Sequence, residues 1–298
     1  MGQAFKSYSV LGVLSIIWGL AFVAIKWAES VLTPVNMALL RWLLASAGFI
    51  VLVPFFGKMR TRFERRDIPR FLVVSFANVA AYHLALYNAE RTISAGLAGL
   101  LVSTGPVFVV LLSWLLLRER HGKEIAIAVI LAFSGAIVLA QGNLSSGGSP
   151  IGVLEAIGAA LSYAVMAVLS KPLVQKYGAM PFTIWMCLTG TVMILPLMSG
   201  GFVQQVVALP AMGWIAMLYL SFLSTVFAYM AFYTLLGTGS VSRLSIQLYL
   251  VPVVSVIGGV VLLSEHVTVF TVIGGVLMLA AIAIVTMKNS VRKRAGGD

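Results

Sequence analysis

Ten apolar stretches, each of about 18 residues or more, follow one another along this chain: 8–26, 34–56, 70–89, 95–117, 123–140, 150–171, 181–199, 211–234, 241–263 and 267–287. A helix rises about 1.5 Å per residue, so each stretch is long enough to cross the roughly 30 Å hydrocarbon layer of a bilayer. Inside lipid the backbone must satisfy its own polar groups, which leaves only helices and closed barrels as spanning forms. A barrel strand alternates apolar and polar residues over about ten positions, and these runs do not alternate. The reading is an all-α membrane protein with ten transmembrane helices. The breaks between runs carry turn and helix-terminus signals: Thr33-Pro34, Ser94, the segment Ser145 to Pro150, Gly200-Gly201 and Gly237 to Ser240. Composition agrees, because 60% of the 298 residues are hydrophobic and only 10% are charged, against roughly 25% charged in a soluble domain.

The net charge of +11 is explained by topology rather than by nucleic acid. The basic residues sit in the breaks, with no interleaved aromatic platform of the kind that stacks bases. With the N-terminus placed inside, seventeen Lys and Arg residues fall in inner breaks and only Lys26 and Arg91 in outer ones. That sorting follows the rule that inner loops are positive. It predicts both termini in the cytoplasm of a multi-pass protein of the cell inner (plasma) membrane. The first apolar run passes Trp18 to Lys26 without a small-residue cleavage site, so it reads as a retained helix. The single cysteine, Cys187, lies in an apolar run and excludes an internal disulfide or a cysteine metal site. No cofactor or metal is expected. The expected partners are the lipid bilayer and a small-molecule substrate, with monomer and homodimer both open.

The chain repeats itself. Displaced by 146 residues, 72–119 and 218–265 align without a gap and match at thirteen positions. The pairs include Ser75/Ser221, Tyr87/Tyr233, Ser94/Ser240, Pro106/Pro252 and Glu119/Glu265. Apolar bias alone does not align serines, tyrosines, prolines and glutamates together. Each half then holds five helices, and an odd number makes the second half enter the membrane in the opposite sense. The expected organisation is a first repeat over 8–145, a second over 146–288 and a basic cytoplasmic tail over 289–298, the two inverted repeats enclosing a central cavity. Inverted repeats recur in transporters, where substrate binds near the midplane between the halves.

Polar residues within spans are costly and face the bundle interior. By depth, Trp18, Asn78, Tyr82, His83, Ser103, Thr104, Tyr163, Thr225, Tyr229 and Gln247 cluster near the midplane as candidate substrate contacts. Asn78/Tyr82 and Thr225/Tyr229 have a four-residue spacing that puts each pair on one helix face. Arg41 lies about seven residues, or roughly 10 Å, into the second span. A guanidinium keeps its proton and needs an anion, a hydrogen-bonding partner or water. The expectation is that it pairs with Glu155 of the sixth span or binds a substrate carboxylate, with snorkelling to the outer headgroups as the alternative. His83 is the candidate for proton coupling. Pro106 and Pro252, at equivalent depth, are candidate hinges because each removes a backbone donor. Glu119 and Glu265, at span ends, are read as partners of helix termini or loops.

This pattern resembles the EamA-type members of the drug/metabolite transporter superfamily. The residues carrying the resemblance are Trp18-Gly19, Arg41 and the run Ala95 to Leu101 that leads to Pro106 and ends at Leu117-Arg118-Glu119. In the second half the matching stretch runs from Ser240 through Pro252 to Glu265. Such a resemblance implies a central cavity and export of metabolites, commonly amino acids or other small polar or amphipathic compounds, without chemistry of an enzyme. Three alternatives stand beside it: an intramembrane enzyme acting on lipid-like substrates, a carrier for uptake or nucleotide-sugar exchange, and a membrane scaffold. The enzyme lacks paired acids or clustered histidines within the spans, and no phosphate-binding glycine motif supports an ATP-driven pump.

Overall fold

A computed structural model describes residues 2–56, 64–117, 123–145, 147–237 and 241–295. It describes side chains over 9–54, 64–112, 126–145, 147–236 and 250–284. Among these residues every regular element is a helix. In chain order they are α1 (Gly2–Ala28), α2 (Pro34–Leu52), α3 (Ile68–Ser75), α4 (His83–Glu90), α5 (Ala95–Val102), α6 (Gly105–Leu117) and α7 (Lys123–Ser145). There follow α8 (Pro150–Tyr177), α9 (Ala179–Ile194), the short α10 (Phe202–Val207), α11 (Ala211–Leu218), α12 (Ala228–Gly237), α13 (Val241–Leu263) and α14 (Val269–Ala295). Eight helical stretches are long and apolar enough to cross a membrane. The described apolar parts of the last two, Leu250–Leu263 and Val269–Ile284, are shorter. The protein is an all-helical membrane protein, and its outer surface shows why. Ile130, Ile137, Val261, Val269 and Val276 are all exposed, a surface suited to acyl chains and not to water.

The helix starts follow local chemistry. Thr33 accepts from the Asn36 N–H ahead of Pro34, and Ser94 accepts from the Leu97 N–H at 3.2 Å. Ser149 does the same for Ile151 ahead of Pro150. Each supplies an acceptor for a first-turn donor that lacks a partner within the helix, and proline suits the first turn. Gly178, at φ +83°, ends α8 and turns the chain into α9, a backbone state that a side chain disfavours.

Three expected spans differ from simple helices. The run 95–117 is broken between α5 and α6 at Ser103-Thr104. Pro106 has no N–H to give the preceding turn, and the hydroxyls of Ser103 and Thr104 donate to Gly99 O and Leu101 O, both at 2.7 Å. Pro252, by contrast, sits inside the unbroken α13, so the two expected hinges are not alike. The third and eighth runs each contain a wide π-helical segment, Phe76–Tyr82 between α3 and α4 and Tyr219–Phe227 between α11 and α12. Such segments are rare and concentrate at functional sites. These two overlap under the 146-residue displacement found in the sequence.

Small residues set the helix pairing. α1 packs along α13, α5 crosses α13, and α8 packs on α4, α5 and α6, while α7 pairs with α14 and α2 with α9. A Cβ on Gly19 would come within 2.5 Å of Val254 Cβ, and one on Gly96 within 3.1 Å of Val256 Cα. Close approach of this kind is the usual basis of helix association in lipid. Where α5 meets α13, the Glu265 carboxylate accepts from the Ala95 and Gly96 N–H groups at 2.6 and 3.1 Å. At the other end, Asp67 accepts from Lys176 at 2.5 Å and from Tyr177 OH at 2.6 Å, and Lys176 also pairs with Glu64 at 2.9 Å. That hydrogen bond from Lys176 holds the exposed Glu64 carboxyl below its ordinary range.

Candidate functional site

The helices line a cavity of about 100 Å³. α1 contributes Trp18, Phe22 and Ile25, and α2 contributes Arg41. Asn78 and Tyr82 come from the first π segment, with His83 and Leu86 from α4. Ser103 and Pro106 line it at the α5–α6 break, Tyr163 and Met166 from α8, and Ser224, Tyr229, Phe232 and Tyr233 from the second π segment and α12. The wall is mostly aromatic and aliphatic, with a few polar groups, the composition of a site for an amphipathic ligand.

Arg41 is the charged member. Its residue is 4% exposed, so it does not snorkel. Nε donates to Thr225 Oγ1 at 2.9 Å, Nη1 to Tyr87 OH at 2.9 Å and Nη2 to Ser224 Oγ at 3.3 Å. All three acceptors are neutral hydroxyls. The expected pairing with Glu155 is absent: among the described residues no ion pair includes Arg41, and Glu155 is partly exposed elsewhere on α8. The physical reason is local. Both Thr225 and Ser224 come from the wide π turn packed against α2, and they fill the donor positions that a carboxylate from α8 would have taken. The guanidinium is held in place while no described carboxylate neutralises its charge.

The π segments also explain the aromatic arrangement. A wide turn releases carbonyls from the α-helical ladder, and side chains take them up. His83 Nδ1 meets Asn78 O at 2.7 Å, Trp18 Nε1 donates to Ser224 O at 3.1 Å, and Thr225 Oγ1 donates to Leu220 O at 2.8 Å. Asn78 and Ser224 occupy equivalent positions in the sequence repeat, so the two halves use the same backbone device on opposite walls. Across the cavity Tyr229 OH donates to Asn78 Oδ1 at 3.2 Å, and Tyr233 OH meets Met166 Sδ at 3.2 Å. Trp18 stands edge-on to Tyr229 and Phe232, at centroid distances of 5.9 and 5.4 Å. His83 is boxed by Trp42, Tyr82 and Tyr87.

Of the residues singled out from sequence, Trp18, Arg41, Asn78, Tyr82, His83, Ser103, Pro106, Tyr163 and Tyr229 come together on this cavity wall. Thr225 stands behind it as a support for Arg41. Thr104 points away, into a small apolar void with Phe108 and Phe133. Pro252 is not among the described lining residues, although its neighbour Val251 is. The Gln247 side chain lies outside the described residues, as does Glu119. Sequence reasoning passed over Tyr87, Ser224, Phe232 and Tyr233. Tyr87 and Tyr233 were visible as a repeated pair, but depth alone did not aim them inward.

The profile of the EamA-like transporter family matches twice, over residues 6–141 and 150–287. The chain belongs to the EamA-like transporter family. Similar proteins include one named "Uncharacterized transporter" from Archaeoglobus fulgidus, 31% identical over 95% of this chain and 99% of its own length. A protein of Streptantibioticus cattleyicolor named "Probable terminal-alkyne amino-acid exporter" is 28% identical, covering 97% of this chain and 96% of that one. An Escherichia coli protein named "Probable amino-acid metabolite efflux pump" is 27% identical over 85% of each. A solved crystal structure superposes with a TM-score of 0.64 over 97% of this chain and 99% of that chain, at 18% identity, which supports the helical fold. These findings place the chain among membrane-spanning transporters of the drug/metabolite type.

Proposed function

We propose that this EamA-family protein is a secondary carrier that exports small amphipathic carboxylates, amino acids with apolar or aromatic side chains foremost, by alternating access. The observation that carries the reading is Arg41. It is a buried cation on the wall of an aromatic cavity, its donors fixed by three neutral hydroxyls. A substrate carboxylate supplies the missing negative charge, while Trp18, Tyr163, Tyr229 and Phe232 face the apolar remainder of the ligand. The names of two relatives, which refer to amino-acid export, agree with that class.

The carrier has ten crossings arranged as two inverted five-helix halves, 8–145 and 146–288. Support comes from the double family match and from the helix pairing. Under exchange of halves, the pairing of α1 with α13 becomes that of α8 with α5 and α6. The contact of α3 and its π segment with α8 likewise becomes that of α11 and its π segment with α1. Two halves of matching construction exchange conformations readily, opening the cavity to one side and then the other. Both termini lie in the cytoplasm of a plasma-membrane protein, an orientation that the basic inner breaks support.

Counterflow in proteoliposomes tests the reading. Vesicles preloaded with unlabelled L-tryptophan are expected to take up labelled L-tryptophan faster than protein-free vesicles. Unlabelled L-phenylalanine should compete, and tryptamine, which keeps the ring and lacks the carboxylate, should not. Equal competition by tryptamine, or no counterflow with any of a panel of labelled amino acids, contradicts the proposal.

A further inference from the structure

Glu90, the last residue of α4, is 0% exposed, and neither of its carboxyl oxygens has a hydrogen-bond partner among the described residues. The cavity does not use it, yet it lies one helical turn beyond Leu86, a lining residue, and three residues beyond Tyr87, which holds Arg41. An ionised carboxylate buried without partners is among the costliest groups in a protein interior. In lipid-embedded helices ionisable residues mark ion and proton paths.

The charged groups that act on Glu90 are Lys26 and Glu29 from the end of α1 and Glu265 from the end of α13. α2 and α8, packed against α4, add no charged group to that set. Lys26 is committed elsewhere: its ammonium pairs with Glu29 at 3.0 Å and donates to the backbone carbonyl of Glu90, not to its carboxyl. Glu265 is satisfied by the Ala95 and Gly96 N–H groups at the start of α5, where the helix end is partly positive. Arg91, next in sequence, is exposed. Lys26 is thus the one cation that acts on Glu90, it is shared with Glu29, and among the described residues no group donates to the Glu90 carboxyl.

We propose that Glu90 is the proton-binding carboxyl of this carrier, protonated in the conformation seen here and ionised when the ends of α1, α5 and α13 part and admit water. The proposal rests on the transporter reading above and adds the coupling ion to it. The step is a simple acid dissociation: the carboxyl O–H bond breaks, the proton passes to water and the electron pair stays on the carboxylate. Because Glu90 and the Arg41 support Tyr87 ride on the same helix, binding of a carboxylate at Arg41 and loss of the proton at Glu90 bias the same motion. His83, the earlier candidate, is less suited to the task. Its ring is closed in by Trp42, Tyr82 and Tyr87, and Nδ1 already meets Asn78 O at 2.7 Å.

Infrared spectroscopy of the reconstituted protein tests protonation without any substrate. The wild type is expected to show the C=O stretch of a protonated carboxyl at neutral pH, and Glu90→Gln to lack it. A wild-type spectrum without that band overturns the proposal, whatever the variants do. A second readout uses an imposed pH gradient with labelled L-tryptophan as the probe. The wild type should accumulate it above equilibrium, and Glu90→Gln should fall to the level reached without a gradient while counterflow persists. Glu90→Asp, which keeps a titratable group, should retain gradient-driven accumulation. Accumulation by Glu90→Gln at the wild-type level, or parallel loss of counterflow and accumulation in a folded variant, overturns the proposal. Failure of the wild type to move tryptophan at all counts against the carrier reading, and the infrared band still decides the state of Glu90.

Discussion

Arg41→Gln lowers L-tryptophan counterflow about 100-fold and leaves the amount of folded protein in the membrane near wild type. The magnitude follows from truncating one partner of a buried charge pair, which costs about 3 kcal/mol when the other charge is then left unmatched, roughly two factors of ten. The stability side is different because two terms of similar size oppose. Glutamine forfeits the bonds to Thr225, Tyr87 and Ser224. It also removes a buried charge that no described carboxylate neutralises. Arg41→Lys should fall between, since an ammonium keeps the charge but not the planar fork that meets three hydroxyls at once. Counterflow rate and thermal midpoint in detergent, measured on the same preparations, separate the two effects. A parallel loss of folded protein and flux would make Arg41 a structural residue.

Two glycines of the same helix should respond in opposite ways to alanine. At Gly19 the new methyl would meet Val254 Cβ at 2.5 Å and the Val251 carbonyl oxygen at 3.0 Å. Both belong to α13, and neither is the free end of a flexible side chain, so α1 and α13 must move apart. Overpacking of this kind costs about 1–3 kcal/mol. At Gly12 a Cβ meets nothing within 4 Å, and the helix gains up to about 1 kcal/mol from the better helix former. The steric term therefore wins at Gly19 and is missing at Gly12. Thermal unfolding is expected to rank Gly12→Ala at or above the wild type and Gly19→Ala well below both. Equal midpoints for the two variants would contradict the α1–α13 packing.

Much of this was legible in the amino-acid sequence, for a physical reason. Lipid removes most alternatives for the backbone, so long apolar runs translate almost directly into helices, and depth along a run already places Trp18, Tyr163 and Tyr229 near the middle. What depth does not convey is rotation about the helix axis and departures from the α-helical ladder. Thr104 and Ser103 are adjacent and equally deep, yet the break before Pro106 turns one to the cavity and the other away from it. The partners of Arg41 were hidden because Thr225 and Ser224 reach it from a π turn that no polar periodicity announces. Glu155 was the natural guess from matched depth, and depth is only one of three coordinates. Glu90 escaped notice because a glutamate next to an arginine at a span end reads as an ordinary interfacial pair, whereas it is fully buried and the charges that act on it, Lys26, Glu29 and Glu265, lie far away in sequence.

The central claim is that the cavity holding Arg41 is the route across the membrane, reached from each side in turn. Ser103→Cys examines it most directly. Ser103 lines the cavity, the change is nearly isosteric, and the one native cysteine, Cys187, is buried and out of reach of reagents in solution. The variant is treated with a membrane-impermeant thiol reagent, once in right-side-out and once in inverted vesicles. The account predicts labelling from both faces, slowed in each case by L-tryptophan. Labelling from neither face, or at a rate that tryptophan does not change, would contradict it.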